Sequence, residues 1–292
     1  MNVLVTGAGG QLGTALQNCV PAGIRCLPLD RSGLDITDVS AVARRLEESK
    51  VSAVINAAAY TDVERAEREP DQAIRINATA CSILASACKA HGARLIHIST
   101  DFVFDGGQSR PYLTTDEPNP LSVYGRSKLR GEHEVLHILA ERACVVRTSW
   151  LHSAQGSNFV TKILTRMRSG EPVRVVTDEV GSPTAAHSLA TVAWACVSRS
   201  ASGLHHWSDS GAVTRFQFAE AIAQDAFQMG LLPALPVLQR ARVADFKSAA
   251  ERPAYSVLDT RATEAAVGMN AISWREGLKL TLLNLAQRDS RQ

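Results

Sequence analysis

The chain opens on NVLVTGAGGQLG, an apolar run over residues 2–6, glycines at 7, 10 and 13, and then a helical pattern to about residue 18. Few folds accept that order. Gly7 permits a tight turn, Gly10 lets backbone approach a pyrophosphate, and Gly13 lets the helix pack on the strand. The helix N-terminus then offers free N–H groups and a positive dipole end to phosphate oxygens. A second apolar run, residues 24–29, ends at Asp30, whose carboxylate suits a ribose 2′-hydroxyl and favours NAD. Arg31 beside it suits a 2′-phosphate, so NADH and NADPH both remain open.

Further apolar runs at residues 51–59, 94–99 and 143–147 alternate with helical patterns at 38–49, 75–91 and 123–139. Near-continuous apolar strands between helices imply a parallel sheet covered on both faces. The expected fold is therefore α/β, a Rossmann-type doubly wound sheet with a smaller, irregular α/β C-terminal substrate domain. At 292 residues, two domains are expected, with residues 1–150 binding NAD(P) and 151–292 mainly binding substrate. Beyond Trp150 the alternation weakens and prolines at 172, 183, 233, 236 and 253 break the pattern, so some segments are expected to return to the first domain. The loop at 105–122 is long enough to suggest a functional role.

Composition narrows the partners. The chain has 31 basic and 29 acidic side chains, scattered without a basic stripe, which argues against nucleic acid. Its apolar stretches stop short of the roughly 18 residues of a membrane span, and the N-terminus enters a strand without a signal-peptide pattern. The six cysteines form no C-x-x-C pair, as expected of free thiols in a cytoplasmic protein.

Catalytic chemistry is suggested by Tyr124 and Lys128, four apart at the start of a helix and so on one face. An ammonium near a phenol favours phenolate and lowers a pKa that starts near 10. Such a tyrosine can give or take the proton of a substrate oxygen. Ser99 and Thr100 end the fourth strand, where ligands of open parallel sheets bind. His133-Glu134-Val135-Leu136-His137 spells a zinc-protease signature. The histidines, however, fall about 180° and 220° around the helix from Tyr124, while Lys128 lies about 40° away. They point away from the expected site, and no metal is expected. His205-His206-Trp207 reads as packing.

The glycine turn, Asn56-Ala57-Ala58-Ala59, Ser99-Thr100-Asp101 and Tyr124-x-x-x-Lys128 together resemble the extended short-chain dehydrogenase/reductases. PLSVYGRSK at 120–128, RTSW at 147–150, Asn158-Phe159, GSPT at 181–184 and RPAYSVLD at 252–259 narrow the resemblance to the dTDP-4-dehydrorhamnose reductase family. It covers nearly the whole chain. It implies NAD(P)H-dependent reduction of a dTDP-linked 4-keto sugar, with Tyr124 protonating the C4 oxygen and Lys128 holding the nicotinamide ribose. It also implies Thr100 on the reacting oxygen and Asp101 beside the sugar. Trp150 is expected to contact substrate, and Asn158 and Arg252 to hold the diphosphate. Gly10, Gln11, Leu12, Asp30, Asp35, Ile36, Ala59, Tyr60 and Thr61 fall where the family contacts the dinucleotide. Some members carry a glutamate tied to a metal-bridged dimer where this chain has Ala15, so that bridge is not expected and a homodimer is left open. Phe102, in place of the glutamate of related dehydratases, favours simple ketone reduction. The alternatives are a reductase of another nucleotide-linked 4-keto-6-deoxy sugar, or a non-catalytic dinucleotide-binding module resembling the regulatory subunit of methionine adenosyltransferase.

Overall fold

The computed structural model describes residues 1–289. Its centre is a six-stranded sheet in which every neighbouring pair is parallel. The strands are β1 (Asn2–Thr6), β2 (Arg25–Leu29), β3 (Ala53–Asn56), β4 (Arg94–Thr100), β5 (Ala143–Thr148) and an edge strand, Gly203–His206. From that edge inward the order is Gly203–His206, β5, β4, β3, β1, β2. The direction of winding reverses between β1 and β3, which opens the crevice where such sheets bind ligands.

Both faces are buried, as the apolar runs require. On one face Leu4, Val54 and Leu95 pack under α2 (Val39–Ser49), α5 (Ala80–His91) and α6 (Val123–Leu139). On the other, Val3, Val5 and Ile96 meet α1 (Gln11–Asn18) and the helix Ala186–Ser198. That helix and the edge strand bring residues from beyond position 150 back onto the central sheet. A third cluster joins the helices Phe159–Arg168, Arg215–Gln228 and Trp274–Asp289 around buried Phe218 and Leu278.

Local signals explain the boundaries. Asp38 caps α2 by accepting from Ala41 N at 2.9 Å, and Ser122 caps α6 by accepting from Gly125 N at 3.1 Å. The third strand is shorter than its apolar run, because residues 57–59 leave the ladder to line the crevice. The helical pattern at 75–91 begins earlier, with α3 (Val63–Ala66) and α4 (Pro70–Ile74), and contains a π turn at Arg75–Thr79 before α5. Such turns gather near functional sites. Here Asn77, inside the π turn, accepts from Tyr60 N at 2.8 Å and donates to Tyr60 O at 3.0 Å and Ser127 Oγ at 2.9 Å. It ties the 57–61 loop to α6. The 105–122 loop is pinned by buried Tyr112, which stacks on Phe104 and exchanges backbone hydrogen bonds with Val257 and Asp259.

Candidate active site

The crevice between β1 and β3 holds a cavity of about 390 Å³. Of the residues expected to meet a dinucleotide, Gly7, Gly10, Asp30, Arg31, Asp35, Ile36 and Ala59 line it. The three glycines are needed for separate reasons. Gly7 has φ +68°, a region costly for side chains, and a Cβ there would strike the backbone of Ala57 and Ala58. A Cβ at Gly10 would lie 3.2 Å from Gly7 O, and one at Gly13 would overlap Gly7 and Ala8. Side chains at these positions would force β1, the turn and the 57–58 segment apart, so only glycines let the turn close under the cavity and bring the backbone N–H groups of the α1 N-terminus to it, an arrangement that fits a dinucleotide pyrophosphate.

The remaining expected contacts lie elsewhere. Leu12 is buried in the core and leaves only its backbone for a ligand. Gln11 turns toward Asn158, accepting at Oε1 from Asn158 Nδ2 at 2.8 Å and from Ser153 Oγ at 3.0 Å. Tyr60 donates to Glu69 at 2.9 Å, and Thr61 is exposed. At the cavity mouth Asp30 Oδ1 already accepts from Ser32 N, Ser32 Oγ and Gly33 N, bonds that hold the carboxyl below its ordinary pKa. Asp30 is thus a turn former as well as a ribose candidate, with one oxygen committed.

Thr100, Asp101, Tyr124 and Lys128 come together at the carboxyl ends of β4 and β5. Thr100 pairs in register with Thr148, and the Asp101–Val103 turn sends Asp101 inward, leaving it 2% exposed. Tyr124 and Lys128 share one face of α6. Its approach to the Asp101–Val103 turn depends on Gly125, where a Cβ would overlap Phe102 O. Lys128 is buried and donates from Nζ to Ile98 O at 2.6 Å, with His97 Nε2 at 3.3 Å. Burial lowers the pKa of Lys128 and holds His97 well below the usual imidazole range. Burial likewise pushes Tyr124 up to about 12, with Asp101 raising it further and the Thr100 hydroxyl working against both. The expected depression of the Tyr124 pKa by Lys128 is therefore absent in this state, because the ammonium is directed at Ile98 and His97. Tyr124 keeps its proton at neutral pH.

Behind these residues lies a buried ion pair the sequence reading missed. Arg147 donates to both carboxylate oxygens of Glu132, and Ser99 Oγ donates to Glu132 Oε1 at 2.5 Å. His206, T-stacked on Phe104, sits between Arg147 and Tyr112 O, so the His205-His206-Trp207 run does pack rather than face ligand. Glu132 follows Lys128 by one turn of α6, a spacing that could have identified it. His133 and His137 are both exposed on that helix.

The other expected substrate residues are engaged with protein. Asn158 caps the helix Phe159–Arg168, and its amide nitrogen is shared among Gln11, Ser153 and Gln155. Arg252 pairs with Glu64 at 2.5 Å and donates to Ser248 Oγ at 2.6 Å. Glu64 also accepts from Ser248 Oγ and Ala249 N, and these bonds together hold its carboxyl down at about 2. Trp150 adopts φ +43°, with Arg215 over one ring face at 3.4 Å, Gly181 against the indole and the Phe218 ring 6.5 Å away, so it too is packed against protein.

Known proteins match over almost the full length. Residues 1–287 fit the family model described as RmlD substrate binding domain. A dTDP-4-dehydrorhamnose reductase of Mycobacterium tuberculosis is 41% identical, covering 96% of this chain and 92% of its own. The crystal structure of a dTDP-4-dehydrorhamnose reductase from Clostridium acetobutylicum superposes with a TM-score of 0.91 at 36% identity, covering 98% of this chain and 100% of that one. The Bacillus anthracis reductase in complex with NADP also gives 0.91, at 35% identity over 97% and 99% of the two chains. The chain belongs to the RmlD family, that of the dTDP-4-dehydrorhamnose reductases.

Proposed function

We propose that this protein reduces the C4 ketone of dTDP-4-dehydro-L-rhamnose to dTDP-L-rhamnose with NADPH or NADH. The observation that carries the reading is the convergence of Thr100, Asp101, Tyr124 and Lys128 beside the β1/β3 crevice. The names of its relatives and the NADP in one of them support the substrate and the cofactor. Residues 1–150 with the returning segments would hold the dinucleotide, and the third cluster would close the sugar-nucleotide side. The six free thiols suit the cytoplasm.

The bound nicotinamide would supply hydride to C4. Tyr124, protonated at neutral pH, gives its proton to the oxygen that was the ketone. The Thr100 hydroxyl orients that oxygen. Lys128 directs two of its three donors at Ile98 O and His97, leaving the third for the nicotinamide ribose. Product formation needs one hydride and one proton, and each has a source.

The test is oxidation of NADPH and NADH followed at 340 nm, with the keto sugar generated from dTDP-glucose by a dehydratase and an epimerase. Oxidation that requires the epimerase is the expected result. Oxidation without it would identify a reductase of the unepimerised sugar. Cofactor binding with no oxidation would replace the enzyme by a binding module.

A further inference from the structure

Beyond the expected residues, the substrate side holds a cation that the sequence did not single out. Arg215 is the first residue of the helix Arg215–Gln228, and packing fixes its side chain. Its guanidinium carbon lies 3.4 Å from the Trp150 ring centroid and 5.1 Å from that of Phe159. Its Nε donates to Glu179 Oε2 at 3.3 Å, and its backbone N–H donates to Glu179 O at 3.2 Å. Trp150 is itself held in left-handed backbone with Gly181 against its indole, strain of the kind that gathers at ligand sites. The two terminal nitrogens of Arg215 have no hydrogen-bond partner among the described residues, and neither is sealed from solvent.

Within its electrostatic reach lies Asp101. Its Oδ1 accepts from Thr100 at 3.1 Å, the Ser256 hydroxyl lies near enough to hold down the carboxyl's burial-raised pKa, and its buried Oδ2 makes no hydrogen bond of regular geometry with the described residues. The two side chains influence each other electrostatically, yet the ion pair of Arg215 is with Glu179 rather than Asp101. A buried acceptor and a pinned donor therefore lie within electrostatic reach of each other, and the unmet carboxylate oxygen is costly enough to need an explanation. A ligand that satisfies both must donate to a carboxylate and accept from a guanidinium. A hydroxyl does both. A phosphate only accepts and is repelled by Asp101, and an ammonium only donates.

The position of Asp101 selects the hydroxyl. Asp101 directly follows Thr100, which lies beside the Tyr124 phenol, so the unmet oxygen of Asp101 lies near the reacting oxygen. In a 4-keto-6-deoxy sugar the neighbours of C4 are C3, which bears a hydroxyl, and C5, which bears a methyl. We propose that Asp101 and Arg215 together grip the sugar C3 hydroxyl, which makes Arg215 a specificity-determining residue. The proposal rests on the reduction described above.

The test compares kcat/KM for the dTDP-linked 4-keto-6-deoxy sugar and its 3-deoxy counterpart in wild type, Arg215→Leu and Arg215→Lys. Wild type is expected to favour the hydroxylated sugar by about 10- to 100-fold, the range of a hydrogen bond to a charged group. Arg215→Leu should lower its kcat/KM by that factor while leaving the 3-deoxy sugar and the KM for NADPH unchanged. Arg215→Lys, which keeps the charge but loses the planar fork, should restore part of the discrimination. If Arg215→Leu does not fold, a selective loss in Arg215→Lys carries the test. An equal loss on both sugars would reduce Arg215 to a packing residue and overturn the proposal, as would a wild type indifferent to the C3 hydroxyl. Turnover of neither sugar by wild type, despite NADPH binding, overturns the reaction and the proposal together.

Discussion

The two sides of the cleft are built by different means. The proposed dinucleotide side is built on the glycine turn, the α1 N-terminus and the 57–59 segment, with Asp30, Arg31, Asp35 and Arg75 around them, all within the first 76 residues. The substrate side is side chains drawn from β4, α6, the end of β5, the 179–181 strand region and the start of a distant helix. A backbone cradle tolerates change in the side chains around it, whereas a side-chain constellation fails through any one member. The difference also separates the arginines. Arg252 spends its guanidinium on Glu64, a tether between segments, while Arg215 keeps its terminal nitrogens free.

Four substitutions test that contrast. Tyr124→Phe should lower kcat by about 10²- to 10⁴-fold, the usual contribution of a positioned acid. Dinucleotide affinity, measured by fluorescence titration, should barely move, and a parallel loss of affinity would mean that the two sides are not separable. Glu132→Ala leaves Arg147 buried and unpaired, at a cost of ~3–5 kcal/mol. A urea-unfolding midpoint close to wild type would remove the ion pair from the support of the site. Arg31→Ala should raise the KM for NADPH by roughly tenfold, with less change for NADH and none for the sugar, because a charge-assisted phosphate contact is lost. Equal effects on both cofactors would exclude a 2′-phosphate contact.

Glu64→Gln has the smallest expected effect and a definite pH window. The folded carboxyl sits at about 2, below its ordinary 4.5, so its stabilisation is present above pH 4.5 and lost as pH falls toward 2. The difference in melting temperature between wild type and Glu64→Gln should therefore be constant near neutrality and shrink in acid. A difference that grows on acidification would reverse the sign assigned to the tether.

The same contrast explains what the sequence disclosed. The glycine turn, the α6 helix from Val123 to Leu139 and the apolar strands were legible because each is a local pattern with its own period or spacing. Tyr124 and Lys128 were legible for the same reason. The π turn was not, since Asn77 looks like any helical asparagine until Tyr60 is brought to it. Arg215 left no local mark either. Its partners Trp150 and Glu179 lie 65 and 36 positions away, and only the fold sets them side by side. Asn158 and Arg252 carried family motifs, yet here both are occupied by protein partners, so a motif position does not by itself reveal a free side chain.

The edge strand Gly203–His206 has a consequence for biosynthesis. It is hydrogen-bonded to β5 but lies far downstream of it, so a chain emerging from the ribosome carries β5 as an open edge for several seconds at roughly 5–20 residues per second. During that interval the apolar ACVV of β5 is a template for foreign strands. A truncation before residue 203 should therefore yield insoluble protein even though it retains the glycine turn, Tyr124 and Lys128.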